Sequence, residues 1–296
     1  MPEGPKLLLI DGNNMCHRVH WAHKELSWKG THVGVLFGFF KQLIHLDKEY
    51  PGWFRVIAWD RGHERRTTES TRAVEAGMIP SGYKATRDHD SEDREIIYEQ
   101  MDELKDALRF VKCLQTEKRG CEADDIINTY AKYAVKCGGE AVIVSSDKDF
   151  YQAIDHDVRI YDAMKKEVWT RERFEMEFAF TPDMWVDAGA IMGDKSDNIF
   201  GVDGWGPVTA YKYVREHGSI DKIMEALKAK SKKGKKEQAF VDSEEILKLA
   251  FSLKKMDIIK ALPVPCTDEE KDEADLKKYF LEWGFASLLK DARRLV

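Results

Sequence analysis

Two short apolar runs, KLLLID (Lys6–Asp11) and RVIAWD at 55–60, each end in aspartate. Continuous apolar stretches of this length, without polar alternation, read as strands buried on both faces of a parallel sheet. Between them, residues 33–46 (VGVLFGFFKQLIHL) repeat apolar positions at helical spacing, so the chain opens as β-α-β. Residues 61–92 lose that periodicity and become rich in charge, glycine and serine, which predicts a long segment without regular structure. The helical pattern returns over 94–110 and again over 124–135, with 111–114 as a short connection. AVIVSS is the next strand, and 157–163 with 167–170 form a small added strand pair. This alternation, up to about residue 180, predicts a doubly wound α/β domain.

Thr181 and Pro182 mark a helix start, with the helix running over 183–192. The stretch IFGVDGWGPVTAYKYVREHGS follows, in which Gly201, Gly204 and Gly206 punctuate a tight turn that feeds a second helix. That is a helix-hairpin-helix pattern, whose backbone amides contact phosphate without reading bases. From Ser219 the chain reads as mostly helical and carries no chemical motif. The expected division is therefore 1–180 and 181–296.

Composition adds little until the charges are placed. At 296 residues, 43% hydrophobic and 34% charged, the chain can build a full α/β core and a smaller second domain. The first apolar run is too short for a secretory signal, and no stretch approaches the roughly 20 apolar residues of a membrane span. An intracellular, cytoplasmic protein is expected. Five cysteines (Cys16, Cys113, Cys121, Cys137, Cys266), odd in number and without CxxC spacing, read as reduced thiols rather than disulfides or a zinc site.

The net charge of -6 hides its distribution. Nine carboxylates fall in five clusters: KLLLIDGNN (Asp11), RVIAWD (Asp60), GCEADD (Glu122, Asp124, Asp125), AVIVSSDKD (Asp147, Asp149) and IMGDKSDN (Asp194, Asp197). Several follow strand-like runs, and parallel strands present their C-terminal ends along one edge, where open α/β folds place ligands. So many carboxylates cannot all stay ionised together without cations. Magnesium or manganese suits an all-oxygen set. Asp147 and Asp149 can point to one side, Asp194 and Asp197 share a helical face, and the EADD acids open a helix whose dipole favours negative charge. An N-cap or a solvated acid explains any one pair, but not all five clusters at strand ends and helix starts. Two ions could activate water against a phosphodiester without a side-chain nucleophile. The basic stretch 228–236 (KAKSKKGKK) reads equally as a solvated loop or a nucleic-acid contact.

The ordered set LLLIDGNN, AWD, YKATR, EADD, SSDKDF and IMGDKSDNIFGVDGWG resembles the bacterial and phage 5′ nuclease family over roughly residues 5–225. That family includes flap endonucleases and the 5′ nuclease domain of DNA polymerase I. The resemblance implies a PIN-like core, a helical arch over the active site at about 80–110, and a helix-three-turn-helix element that grips duplex DNA. Carried over by position, it makes Asp11, Asp60, Glu122, Asp124, Asp125, Asp147, Asp149, Asp194 and Asp197 the metal-site acids. Lys84 and Arg87 become the basic residues at the arch base that contact the scissile phosphate. Tyr83 is either a base-stacking aromatic or a packing residue. Gly201, Gly204, Gly206, Thr209 and Lys212 become duplex contacts.

The resemblance further implies 5′-to-3′ exonuclease and flap endonuclease activity on branched or nicked DNA, and action on RNA/DNA hybrids. It implies Mg2+ with Mn2+ as substitute, two ions or more, K+ at the hairpin, replication proteins as partners and a monomer. Without a polymerase domain, a stand-alone enzyme is expected, with phage origin compatible. A PIN-type ribonuclease and a catalytically weak DNA-structure binder are the rival readings. Two departures stand out: Val208 occupies the place of a phosphate-binding lysine, and DHDSEDRE after Arg87 is acidic where an arch touching DNA is expected to be basic.

Overall fold

Six strands build the sheet that carries the candidate site. The computed structural model describes residues 4–86, 92–163, 165–265 and 270–296. In chain order they hold β1 (Lys6–Asp11), α1 (Gly12–Ala22), a small hairpin β2 (Ser27–Trp28) and β3 (Thr31–His32), α2 (Gly34–Glu49), β4 (Phe54–Trp59), α3 (Glu64–Glu75) and α4 (Glu92–Ala107). Then come β5 (Cys113–Glu117), α5 (Ala123–Lys136), β6 (Glu140–Val144), β7 (Val158–Asp162), β8 (Glu167–Trp169), α6 (Arg171–Phe178) and α7 (Trp185–Met192). The chain closes with α8 (Pro207–His217), α9 (Ile220–Ala229), α10 (Lys235–Asp242), α11 (Glu244–Lys254) and α12 (Glu273–Glu282).

The sheet order is β5-β4-β1-β6-β7-β8, parallel except for the β7-β8 pair. From β1 the chain winds outward through β4 to β5, then returns to place β6 on the other side of β1. The order therefore reverses between β1 and β6, where doubly wound folds leave a ligand crevice at the carboxyl ends of the strands. Asp11 ends β1 at that crevice, and Asp147 follows β6. The expected doubly wound sheet is present.

Each face of the sheet has its own core. Leu7 and Leu9 of β1 face α5 and the helices from α7 to α11, while Leu8 and Ile10 face α1, α2 and α4. Alternation along a strand forces this split. The second core also takes in Leu276, Tyr279, Phe280, Leu288 and Leu295. The last residues therefore pack on the α/β layer. The amide of Lys112 donates to the Leu295 carbonyl at 2.6 Å, which ties the C-terminus beside β5.

Two expectations need correction. Within 61–92, residues 64–75 form a regular helix, α3. Its buried positions are Arg66, Ser70 and Ala73, a polar or small stripe at i, i+4 and i+7 that apolar periodicity cannot reveal. The connection at 111–114 includes the start of edge strand β5, CLQTE, which is only partly buried and half polar. Cys16, Cys113, Cys121 and Cys137 are free, and Cys266 lies outside the described residues. Among the described residues, no helix is long and apolar enough to cross a membrane.

Asp187 joins two helices of the second region. Its carboxylate in α7 accepts the Ile220 amide at the start of α9 at 2.8 Å. Burial pushes this carboxyl up to about 6. A raised acid makes the folded state bind more protons than the unfolded one, so its contribution to stability is lost as pH rises from about 4 to 6. Asp187→Asn keeps an acceptor for Ile220 without the buried charge. Thermal melts should show a gain of about 2 kcal/mol at pH 8, shrinking as pH falls below 6. A gain that does not change with pH would place its origin elsewhere.

Candidate metal centre

The acids converge along the carboxyl edge of the sheet. Asp11 caps α1, accepting the Asn14 amide at 2.9 Å. Asp60, just past β4, receives the Ala123 amide at 2.7 Å, which sets the start of α5 against β4. The Asp60 amide itself donates to Asn13 at 3.0 Å. Ser145, at the end of β6, donates to Asp11 at 3.4 Å and accepts the Asp147 amide at 3.2 Å. Asp147 in turn accepts the Asp149 amide at 2.8 Å and opens a 3-10 turn. Strand ends and helix starts thus aim these carboxylates at one region.

Two triads stand at its ends. Oxygens of Glu122, Asp124 and Asp125 lie within 4.8 Å of one another, as do oxygens of Asp149, Asp194 and Asp197. Either group could hold a metal ion. Asp11, Asp60 and Asp147 connect them, for the charges of Asp60 and Asp147 both act on Asp11. Burial first, then those two neighbours, pushes the Asp11 carboxyl up to about 7. At an effective dielectric near 20, each like-charged pair at 4 Å costs on the order of 4 kcal/mol. A triad without countercharge would therefore consume most of a typical domain's stability, on the order of 5–15 kcal/mol.

Among the described residues, Arg66, Lys84 and Lys254 offset this cost. Arg66 of α3 is 3% exposed. It pairs with Glu122, bonds Asp125 through both terminal nitrogens at 3.1 and 3.0 Å, and lies 3.5 Å from Asp124. Lys84 pairs with Glu122 as well. Lys254, the last residue of α11, reaches both oxygens of Asp149 at 2.9 Å and Asp194 at 2.6 Å. The titrations follow from these contacts. Although burial raises it, Glu122 is held below the usual range by Arg66 and Lys84. Burial lifts Asp124 well above it despite Arg66. Asp149 is lifted to about 6 by burial, with Lys254 opposing. Asp194, against its burial, is held at about 2 by hydrogen bonds from Lys254 and Ser196.

Sequence reasoning missed Arg66 and Lys254. Arg66 lies within 61–92, where the lost apolar periodicity predicts no helix. Lys254 had a signal: it falls seven residues after Leu247, on the buried stripe of α11 that also holds Ala250 and Leu253. A lysine there must have a partner for its charge.

The turn before α4 joins the second triad directly. Lys84, at φ 55°, donates its amide to the Asp197 carbonyl at 2.8 Å. Asn198 donates to the Ser81 and Gly82 carbonyls at 3.1 and 2.6 Å. The Tyr83 ring is buried, and its hydroxyl donates to Asp197 at 3.1 Å and Glu122 at 3.3 Å. In this structure the ring packs edge to face with His63 at 5.4 Å. Arg87 lies outside the described residues. The acidic stretch after it also has a partner in the chain: Asp93 accepts from Lys24 at 2.8 Å and bonds His20 at 3.0 Å, so this acid faces α1.

At the hairpin, Gly204 (φ +75°) and Gly206 are exposed, and Gly206 caps α8 with Pro207 behind it. Gly201 differs, since a Cβ there would come within 2.4 Å of the Gly193 amide and the Ile191 carbonyl. Packing on the end of α7 by itself requires glycine there. Thr209 is half-buried in the first turn of α8, and Lys212 and Val208 are exposed. A groove of about 730 Å³ runs from Thr86, Asp194 and Lys195 past Phe200 to Gly204 and Gly206. It links the second triad to the hairpin.

Residues 6–179 match the family described as 5′-3′ exonuclease, N-terminal resolvase-like domain, and residues 180–277 match its C-terminal SAM fold. The chain belongs to the 5′-3′ exonuclease family. As a member it is a hydrolytic nuclease with a resolvase-like α/β domain followed by a helical SAM fold. A thermostable DNA polymerase I of Thermus thermophilus is 30% identical over 293 residues, covering 98% of this chain and 33% of that protein. The chain thus spans about a third of the polymerase's length. Among solved structures, the T5 5′-exonuclease with bound zinc matches with TM-score 0.69 and 23% identity, over 84% of this chain and 89% of that one. The bacteriophage T5 flap endonuclease in a pseudo-enzyme-product complex with DNA and metal ions matches with TM-score 0.67 and 23% identity, over 97% of each chain. Identities this low speak to the shared fold.

Proposed function

We propose that this protein is a divalent-metal-dependent 5′ nuclease that cuts branched, flapped or nicked DNA near the junction of single strand and duplex. The observation that carries the reading is the joining of two acid triads at the sheet edge to the glycine hairpin by one groove. The nine acids Asp11, Asp60, Glu122, Asp124, Asp125, Asp147, Asp149, Asp194 and Asp197 are the proposed holders of two or more ions. Their all-oxygen donor set fits Mg2+, with Mn2+ able to substitute. Such ions, when bound, polarise the phosphodiester and supply activated water. K+ at the hairpin rests on the family resemblance alone.

The protein's own groups do the rest. Lys84 stands over the Tyr83 ring at 4.9 Å and beside Glu122, where its ammonium can meet a phosphate at the edge of the first triad. Arg87 is proposed as its partner. Exposed amides at Gly204 and Gly206 offer contact to duplex phosphates, with Thr209 and Lys212 farther along α8. Val208 removes one expected cation, and the lysine-rich stretch replaces it in space. The Lys236 carbonyl accepts the Trp205 indole at 3.0 Å, and the Lys236 side chain lies 3.9 Å from where a Gly204 Cβ would stand. Lys235 and Lys236 thus flank the hairpin as exposed cations. Of the two readings of residues 228–236, nucleic-acid contact is favoured at this end, whereas Lys228 and Lys230 pair with Glu244 and Glu237.

The proposal extends to combined exonuclease and flap endonuclease activity, action on RNA/DNA hybrids, a monomer working beside replication proteins in the cytoplasm, and a division near residue 180. A 5′-flap DNA, a single-stranded RNA of matched sequence and a blunt duplex, each incubated with magnesium and with chelator, test it. Cleavage should favour the flap and stop with chelator. Preference for the RNA would point to a ribonuclease. Binding to the flap without cutting at any magnesium or manganese concentration would overturn the nuclease reading for this substrate.

A further inference from the structure

Lys254 has no part in the chemistry proposed above, yet it reaches into the second triad from a helix that carries no motif. Its position is built from outside the acids. The Lys254 carbonyl accepts from Gln152 at 3.1 Å, and the Met256 amide donates back to Gln152 at 2.9 Å, which fixes the end of α11 against the turn after β6. Its methylene stem lies along Gly189 of α7, where an added Cβ would meet Cγ, Cδ and Cε at 3.8–3.9 Å. Those are ordinary van der Waals distances, so the stem packs on that face of α7.

At the other end, each of the four oxygens of Asp149 and Asp194 is engaged or faced. Both Asp149 oxygens and Asp194 Oδ2 face the ammonium. Asp194 Oδ1 accepts from the Ser196 amide at 2.8 Å, the Ser196 hydroxyl at 2.6 Å and the Asp197 amide at 3.2 Å. An ion entering Asp149, Asp194 and Asp197 must share these carboxylates with the ammonium, and the two cations repel at that range.

We infer that Lys254 is a resident cation of the second triad and a positioning residue for it. It holds Asp149 and Asp194 together when no ion is bound. It also lowers the triad's affinity for a divalent ion, and so sets the metal concentration at which the triad fills. This rests on the metal reading of the acid centre. The contrast with the first triad is geometric: there Arg66 is rooted on the Leu253 carbonyl, one residue before Lys254, so a single stretch of α11 organises a cation at both ends of the site.

Mn2+ titration of the full chain, followed by the electron paramagnetic resonance of free Mn2+, tests the inference. Lys254→Met should bind its weaker ion about tenfold more tightly than the wild type, and Lys254→Arg, which keeps the charge, should stay near the wild type. Thermal melts should show a lower metal-free Tm for Lys254→Met and a larger rise on adding Mn2+. Unchanged or weaker Mn2+ binding by Lys254→Met would overturn the role of Lys254. If Lys254→Met fails to fold without metal, Lys254→Gln decides by the same criterion. If the wild type itself binds no Mn2+, the metal reading fails, which is a different result.

Discussion

Asp147→Asn and Asp149→Asn should each slow cleavage of a 5′-flap by about 10²–10³-fold or more, while leaving affinity for the same DNA within a few-fold of wild type. The reasoning begins with what asparagine keeps. Asp147 accepts the Asp149 amide at 2.8 Å, and an amide oxygen can accept the same bond, so the 3-10 turn after β6 should survive. Asp149 faces Lys254 with both oxygens at 2.9 Å, and its replacement leaves Asp194 to hold the ammonium. What asparagine loses is the formal charge that a divalent ion needs. Duplex affinity is assigned to the hairpin and to Lys235 and Lys236, on the far side of the groove, and losing a negative charge near phosphate does not weaken it. Single-turnover cleavage in magnesium, paired with binding by fluorescence anisotropy in chelator, separates the two quantities. A variant that cuts at the wild-type rate would remove its acid from the metal set. Loss of binding in step with cutting would mean the substitution disturbed the fold instead.

The acids were legible because a parallel sheet leaves few choices. A buried strand ending in aspartate puts that aspartate at the carboxyl edge, so Asp11, Asp60 and Asp147 could be placed together from pattern alone. Two of their cations, Arg66 and Lys254, are harder to read for the same physical reason in reverse. Arg66 and Lys254 sit on helices whose buried stripes include a charge, and apolar periodicity discards such a position unless its partner is known. The same blindness hid α3 entirely, since its buried face is Arg66, Ser70 and Ala73, and it hid β5, whose edge position tolerates Gln115 and Glu117. Tyr83 shows a different limit: the motif YKATR gave the residue, but only packing shows that its hydroxyl bonds both triads. Gly201 likewise belongs to the hairpin in sequence and to the end of α7 in space.

Arg66→Met should destabilise the metal-free protein by about 3–5 kcal/mol, because removing one member of a buried ionic group leaves the others uncompensated. Glu122 and Asp125 are each 4% exposed, and methionine offers neither the paired bonds to Asp125 nor the contact with Glu122. The Leu253 carbonyl also loses its 2.9 Å donor, so the end of α11 loosens from α3. For a chain of this size a loss of that order corresponds to a Tm drop of about 10 °C. Arg66→Lys is not a conservative rescue, since one ammonium cannot reach both carboxylates and Leu253 in the fork geometry of a guanidinium. The pH dependence identifies the cause. Without Arg66, Asp124 and Asp125 rise further above their unfolded values and Glu122 loses a cation that holds it below its own, so the folded state binds extra protons and stability falls as pH increases through that window. The deficit should therefore be larger at pH 8 than at pH 5, and magnesium should recover part of it by entering the freed acids. An equal loss at both pH values, unaffected by magnesium, would mean that Arg66 acts through packing alone and that the first triad carries no charge strain for it to relieve.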